Sequence, residues 1–260
     1  MENVVKKYAG SIVLKNISLS ISEGSRVVIV GPNGSGKTTL IKILLGLTGR
    51  DSGVVKVFGI DPSSRKFDEM RRNIGYLPEK TTLIQGMRVE DYLDYVSSIK
   101  GCYGYEDVLD QFNLVKYRRY KLKALSQGYK RRVLLAASLL CKPRLLILDE
   151  PYANIDLETK LVIDDLLNNI AREHITMLMT THIEPSLNNY TAIVMINGEI
   201  IGKIEMENTI KLTLMCSGEK IELTERELDK VNYLVRSGCN LTEISTSSLT
   251  ARLRHLIHHR

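Results

Sequence analysis

No run of the 260-residue chain is long and apolar enough to cross a bilayer: the longest, Val133 to Cys141, is broken by Ser138. The opening Met1-Glu2-Asn3-Val4-Val5-Lys6-Lys7 has no apolar core of the kind a signal peptide needs. Close cysteine pairs are missing too. Cys102, Cys141, Cys216 and Cys239 stand too far apart for a zinc or redox motif, which leads to the expectation of bystander thiols in a reducing compartment. There is no internal repeat and no low-complexity segment, so solenoids and disordered linkers are excluded. With 43% hydrophobic and 25% charged residues, the chain suits one sizeable α/β domain plus a small appendage. Its net charge of +6 permits contact with nucleic acid or an anionic surface and specifies neither.

Apolar patterning supplies the organisation. Ile17, Leu19 and Ile21 alternate with polar residues and predict a half-buried antiparallel strand; Val54 to Phe58 predicts another. Ile74 to Leu77 reads as a short buried strand ended by Pro78. From there to residue 141 the pattern is helical: Val89 to Ile99, Tyr105 to Phe112, and a longer helix beginning at Ser126. Leu145 to Leu148 and Ile175 to Met179 are continuous apolar runs, as expected of parallel strands buried on both faces, with a helix over Leu157 to Arg172 between them. Asn197-Gly198, between Ala192 to Ile196 and Glu199 to Ile201, predicts a hairpin with a type I′ turn. Beyond about residue 208 the pattern changes to strands at Ile210 to Met215 and Ile221 to Leu223, a helix over Glu225 to Val235, and a basic end.

Chemistry begins at Gly31-Pro32-Asn33-Gly34-Ser35-Gly36-Lys37-Thr38-Thr39, which follows the apolar strand Val27 to Val30 and opens the apolar-periodic Leu40 to Leu45. A glycine-rich loop in this setting lets consecutive N–H groups and a helix N-terminus converge on phosphate oxygens, with Lys37 reaching the β/γ-phosphates and the Thr38 hydroxyl reaching Mg²⁺. Leu145 to Leu148 then runs into Asp149-Glu150-Pro151, presenting Asp149 for Mg²⁺ and Glu150 beside the γ-phosphate as a base for an attacking water. About twenty residues before this strand, Leu125-Ser126-Gln127-Gly128-Tyr129 starts a helix that Ser126 can N-cap, a good anion site only in company.

In that order the motifs resemble those of the ATP-binding cassette (ABC) ATPases over about the first 200 residues. Tyr8 lies where the family's adenine-stacking aromatic stands. Residues 31–39 resemble Walker A, Leu125 to Tyr129 the signature LSGGQ, Leu145 to Glu150 Walker B with its glutamate, Ala153-Asn154-Ile155-Asp156 the D-loop, and His182 the switch histidine. The resemblance implies a P-loop NTPase core of mainly parallel sheet, an antiparallel β subdomain, and a helical insertion over about residues 80–141, all within a domain spanning 1–208. Residues 209–260 form an α+β appendage. It implies ATP and Mg²⁺ as ligands, and a head-to-tail homodimer or heterodimer in which Ser126 and Gly128 meet the ATP held by the other subunit's Walker A. A separate transmembrane permease would hold the protein, itself cytoplasmic, peripherally on the inner face of the membrane, in the exporter branch often called ABC-2. Three residues depart from the pattern: Glu79 stands where the family has the Q-loop glutamine, with Mg²⁺ or water still within a carboxylate's chemistry; Gln127 replaces the first signature glycine; Ala153 replaces the D-loop serine.

Two other classes fit parts of the pattern. A soluble ABC protein acting on nucleic acid or translation suits the basic charge, but lacks here the tandem cassette or long coiled coil of such proteins. A weakly hydrolytic partner subunit suits Gln127 and Ala153, but Glu150 and His182 argue against it. His255, His258 and His259 read as part of a basic helix end, and Lys116 to Lys123 as a solvated face.

Overall fold

The computed structural model describes residues 1–80, 83–170, 175–206, 210–224 and 228–246. The chain divides into two units, one of residues 1–187 and 191–203 and a second of residues 188–190 and 204–260.

In the larger unit, six strands form one sheet: β3 (Arg26–Val30), β5 (Ile74–Leu77), β6 (Leu145–Asp149), β7 (Thr176–Thr181), β8 (Tyr190–Ile196) and β9 (Glu199–Met206) in the order β5-β6-β7-β3-β8-β9. Pairing is parallel from β5 through β6, β7 and β3 to β8. Every residue of β6 and β7 is buried, which explains the unbroken apolar runs: strands covered on both faces have no polar side to show. Asn197 and Gly198 both take positive φ, 50° and 79°, as the predicted type I′ turn requires. Because β3, β6 and β7 run the same way, the segments that leave them begin at one edge of the sheet, where open α/β sheets bind ligands.

A second sheet of β1 (Glu2–Tyr8), β2 (Ser11–Ile17) and β4 (Ser52–Val54) is antiparallel, in the order β2-β1-β4. It corrects two expectations. The strand over 17–21 ends at Ile17 instead, and the strand over Val54 to Phe58 lies earlier, at 52–54. Leu19 and Ile21 do pack on the core, but from an irregular segment tied down by Met1, whose amino group donates to Leu19 O at 2.9 Å. Alternation reported burial there without a strand partner to make it a strand.

Helix α1 (Lys37–Leu44) follows the glycine loop and buries Leu40, Ile41, Ile43 and Leu44, each stabilising by about 1.5–3 kcal/mol. After a short α2 (Phe67–Met70), the predicted helical insertion appears as α3 (Val89–Lys100), α4 (Glu106–Gln111) and α5 (Gln127–Leu139). Helix α6 (Leu157–Ile170) lies between β6 and β7 in the chain. Among the described residues no helix is long and apolar enough to cross a membrane.

The second unit carries β10 (Ile210–Cys216), β11 (Glu219–Thr224), α7 (Leu228–Arg236) and β12 (Asn240–Thr246), with an antiparallel sheet ordered β11-β10-β12 around Leu214 and Leu223. Strand β12 was not anticipated. The three C-terminal histidines lie outside the described residues.

The cysteines are also a correction. Cys102 is bonded to Cys141, and Cys216 to Cys239, leaving no free thiol among the described residues. Spacings of 39 and 23 residues gave no sign of this, because tertiary packing brings the end of α3 to the end of α5 and the end of β10 to the start of β12.

Candidate functional site

The segment after β3 curls through Gly34 and Gly36, with φ of 80° and 103°, before α1 begins at Lys37. Gly36 has no tolerance for a side chain: a Cβ there would stand 2.8 Å from Leu14 and 2.9 Å from Met195, on a backbone that L-residues rarely adopt. Ser35 Oγ is buried without a hydrogen-bond partner, an arrangement that suits a site awaiting acceptor oxygens. Lys37, only 6% exposed, folds back and donates to Gly31 O at 2.8 Å and Pro32 O at 3.1 Å.

The acids at the end of β6 meet this loop. Asp149 accepts from Thr180 Oγ1 at 2.6 Å and from Thr38 Oγ1 at 3.3 Å. Burial pushes its carboxyl pKa up against the pull of those two hydroxyls, and the negative charges of Glu150 and Glu79 push the same way. A cation held by Asp149 and Thr38 would relieve both causes, so this hydroxyl and carboxylate set fits a hard, oxygen-seeking ion such as Mg²⁺.

Glu150 sits in the left-handed region with φ of 48°, a conformation uncommon for a residue other than glycine, and its N–H is held by Thr180 O at 3.0 Å. Its carboxylate is buried between two partners. Oε1 faces Lys37 Nζ at 3.2 Å without a well-aligned hydrogen bond, and Oε2 accepts from His182 Nδ1 at 2.9 Å and from the His182 N–H at 3.3 Å. With Nδ1–H committed, His182 keeps Nε2 for another partner.

A cavity of about 640 Å³ opens on this cluster, lined by Asn33, Gly34, Gly36, Lys37, Thr38, Thr39, Glu79, Glu150, His182 and the turn Tyr152 to Ile155. Thus the loop, Glu79, Glu150 and His182 come together around one space, with Asp149 bonded to Thr38 beneath it. Gly31 and Pro32 contribute carbonyls to Lys37.

Three predicted site residues belong neither to this lining nor to the loop and acids bonded around it. Ser126 N-caps α5 by accepting from Tyr129 N at 3.3 Å and is otherwise exposed. Gly128 packs against α6 so tightly that a Cβ would fall 2.6 Å from Thr159 Oγ1. Tyr8 is 43% exposed at the end of β1, its hydroxyl 3.4 Å from Thr48 Oγ1 and its ring centroid 5.1 Å from Lys6 Nζ.

Two residues not singled out from the sequence belong here. Thr180 holds both acids, and a polar residue ending an apolar strand was its signal. Arg131, 6% exposed, donates to the carbonyls of Pro78, Glu79, Asp149, Glu150 and Pro151, at 2.5–3.3 Å. Burial lowers its pKa to about 10, and the nearby acids oppose that. In sequence it reads as one more base in a basic helix.

The chain's likenesses agree with this geometry. The ABC transporter family profile matches residues 14–153. An uncharacterised ABC transporter ATP-binding protein, YxlF of Bacillus subtilis strain 168, is 31% identical over 215 residues, covering 80% of this chain and 70% of that one. The lipopolysaccharide export system ATP-binding protein LptB of Escherichia coli K12 is 30% identical over 70% of this chain and 78% of its own. Among solved structures, the dimeric MJ0796, a bacterial ABC transporter cassette, is 26% identical with a TM-score of 0.69, covering 78% of this chain and 97% of that one. The fold is that of a P-loop nucleotide-binding cassette. The chain belongs to the ABC transporter ATP-binding proteins, whose members hydrolyse ATP.

Proposed function

We propose that this chain is the ATP-hydrolysing subunit of a transporter whose permease is a separate polypeptide, and that two such cassettes close head to tail on ATP. The observation that carries the reading is Glu150: buried, held in a left-handed turn, and bracketed by Lys37 and His182 in the cavity of the glycine loop. The loop N–H groups and Lys37 bind the phosphates. Thr38 and Asp149 would hold Mg²⁺, with Glu79 at the rim of the same cavity, and the ion would neutralise the phosphate charge. Glu150 accepts the proton of the attacking water, and His182 fixes its carboxylate and donates toward the γ-phosphate. Tyr8 stacks on the base. Ser126 and Gly128 complete the partner's site, in keeping with their place outside this chain's own cavity.

Docking of the permease near Glu79 and the helical insertion, membership of the ABC-2 branch, and a cytoplasmic position under the membrane follow the same reading. In such a compartment the two cysteine pairs meet a pool that keeps thiols reduced, so the fold there must hold without them. Action on nucleic acid has no feature of the described residues to favour it beyond basic charge.

The purified chain should hydrolyse ATP with Mg²⁺. Glu150→Gln should retain ATP binding and lose turnover by about 10²- to 10⁴-fold, the span typical of a lost general base. Turnover preserved in that variant removes Glu150 from the role of base. A permease encoded beside the chain, pulled down with it and stimulating its turnover, tests the coupling.

A further inference from the structure

Behind the cavity lies a buried charge network that the chemistry above does not use. Asp164, in the middle of α6, is 1% exposed, and a carboxylate so placed must be fully satisfied or it is costly. It is satisfied by three donors. Lys160 Nζ stands 2.6 Å away, one turn earlier on the helix; the Ser186 N–H donates at 3.2 Å; and the Tyr152 hydroxyl donates to the other oxygen. Lys160 Nζ reinforces both arms, lying 5.0 Å from the Tyr152 ring centroid and 3.4 Å from Ser186 Oγ.

Each arm ends at a part of the ATP cavity. Tyr152 follows Glu150 and Pro151 and lines the cavity itself. Ser186 closes the short segment that starts at His182, kept compact by reciprocal bonds of Thr181 Oγ1 with Ile183 N and O, both 2.9 Å. The two segments that Asp164 ties to α6 are therefore those that carry Glu150 and His182, the pair joined at 2.9 Å across the cavity.

We infer that Tyr152, Asp164 and Lys160 are positioning residues for hydrolysis: the triad fixes the separation of Glu150 and His182 by anchoring both of their segments to one buried carboxylate. This rests on the proposed role of Glu150 and deepens it. None of the three belongs to the glycine loop, Lys37 or Thr38, the groups proposed to bind phosphate and metal, so their removal should act on turnover and leave ground-state nucleotide binding nearly unchanged. Misplacement of a catalytic pair by about 1 Å is enough to cost about a hundredfold, and smaller shifts cost less.

The test is steady-state ATP hydrolysis by Tyr152→Phe, Asp164→Asn and the double variant. Tyr152→Phe is the decisive one, because it removes a single hydroxyl and keeps the ring in place. The expected result is a kcat lowered about five- to fiftyfold with KM for ATP within about twofold, and a double variant no slower than Asp164→Asn alone, since the two act as one unit. In a His182→Ala background the loss caused by Tyr152→Phe should shrink to near nothing. Thermal melting accompanies each assay, and should Asp164→Asn fail to fold, Tyr152→Phe and its His182→Ala combination carry the test alone. A kcat unchanged in Tyr152→Phe, or a loss that appears in KM instead, overturns the inference while leaving Glu150 as base. A wild-type chain without Mg-ATP turnover overturns both.

Discussion

The phosphate loop and the signature turn each end in a helix N-terminus that offers N–H groups to anions, yet the two are furnished in opposite ways. Around the loop, charges are buried together: Lys37 lies against Glu150 and Asp149 under Thr38 and Thr180, with the half-exposed His182 bonded to Glu150 from the cavity side. At the start of α5, Ser126 is exposed and its hydroxyl does no more than cap its own helix. One place is preorganised for phosphate and burdened with acids, as a catalytic centre must be. The other is an anion-binding helix end with nothing in this chain's cavity to bind. Such an asymmetry is what the proposed head-to-tail dimer requires of each half.

The comparison breaks first at Lys37. Replacing it with alanine removes the ammonium meant for phosphate and leaves Glu150 buried without its cation. Nucleotide affinity should fall about a hundredfold or more, charge-assisted contacts each being worth about 1.5–3 kcal/mol. Equilibrium binding of a fluorescent ATP analogue measures it, and an unchanged Kd would mean that the glycine loop is not the phosphate site.

Ser126→Ala attacks the other side of the contrast. ATP binding to the monomer should survive while ATP-driven association, followed by sedimentation velocity or light-scattering mass on a Glu150→Gln background, weakens about tenfold for the loss of one hydrogen bond to a charged group. If monomer binding and association fall together, Ser126 serves its own chain's nucleotide and the asymmetry is gone.

How much of this was visible in the sequence depended on how local each signal was. The glycine loop, β6 with its two acids and the Asn197-Gly198 turn were legible because each is written in fewer than ten consecutive residues. The sheet β2-β1-β4 was not: Glu2–Tyr8 carries three charges among seven residues, and its strand state comes from pairing with Ser11–Ile17 and Ser52–Val54, in a register interrupted by irregularities. Arg131 and Asp164 were missed for the same reason in reverse. On a helix a charged residue is ordinarily solvated, and only packing reveals that these two are buried with backbone carbonyls or a lysine for company.

Tyr8 offers a finer adjustment to the contrast, because it lies outside the charged cluster but is assigned to the same nucleotide. Tyr8→Ala should weaken ATP by about 1–3 kcal/mol, the range for one base on one aromatic platform, with the Mg²⁺ requirement unchanged. Titration calorimetry decides it, and an unaltered affinity moves the stacking role elsewhere.

The smallest effect concerns the far end of the signature helix. Lys100 donates to Ser138 O and Leu140 O, at 3.4 and 3.3 Å, where α5 ends, and burial lowers its pKa from 10.5 to about 8. Between those two values the unfolded chain holds a proton that the folded chain has released, so stability should rise as pH climbs through that window. Compared with Lys100→Met, the wild type should gain about 1 kcal/mol between pH 8 and pH 9 in urea unfolding. Parallel curves for the two proteins would show that the ammonium is solvated and the helix end unburdened.

Arg131 holds its five neighbours by main-chain oxygens alone. A clasp of that kind is blind to spelling: it grips positions 78, 79, 149, 150 and 151 whatever side chains they carry. The hydrogen bonds from α5 to the end of β6 thus do not depend on which side chain stands at position 79, whose charge reaches the guanidinium only through space. Glutamine at position 79 would change the charge that the cavity and Arg131 feel and leave the main-chain bond from Arg131 in place.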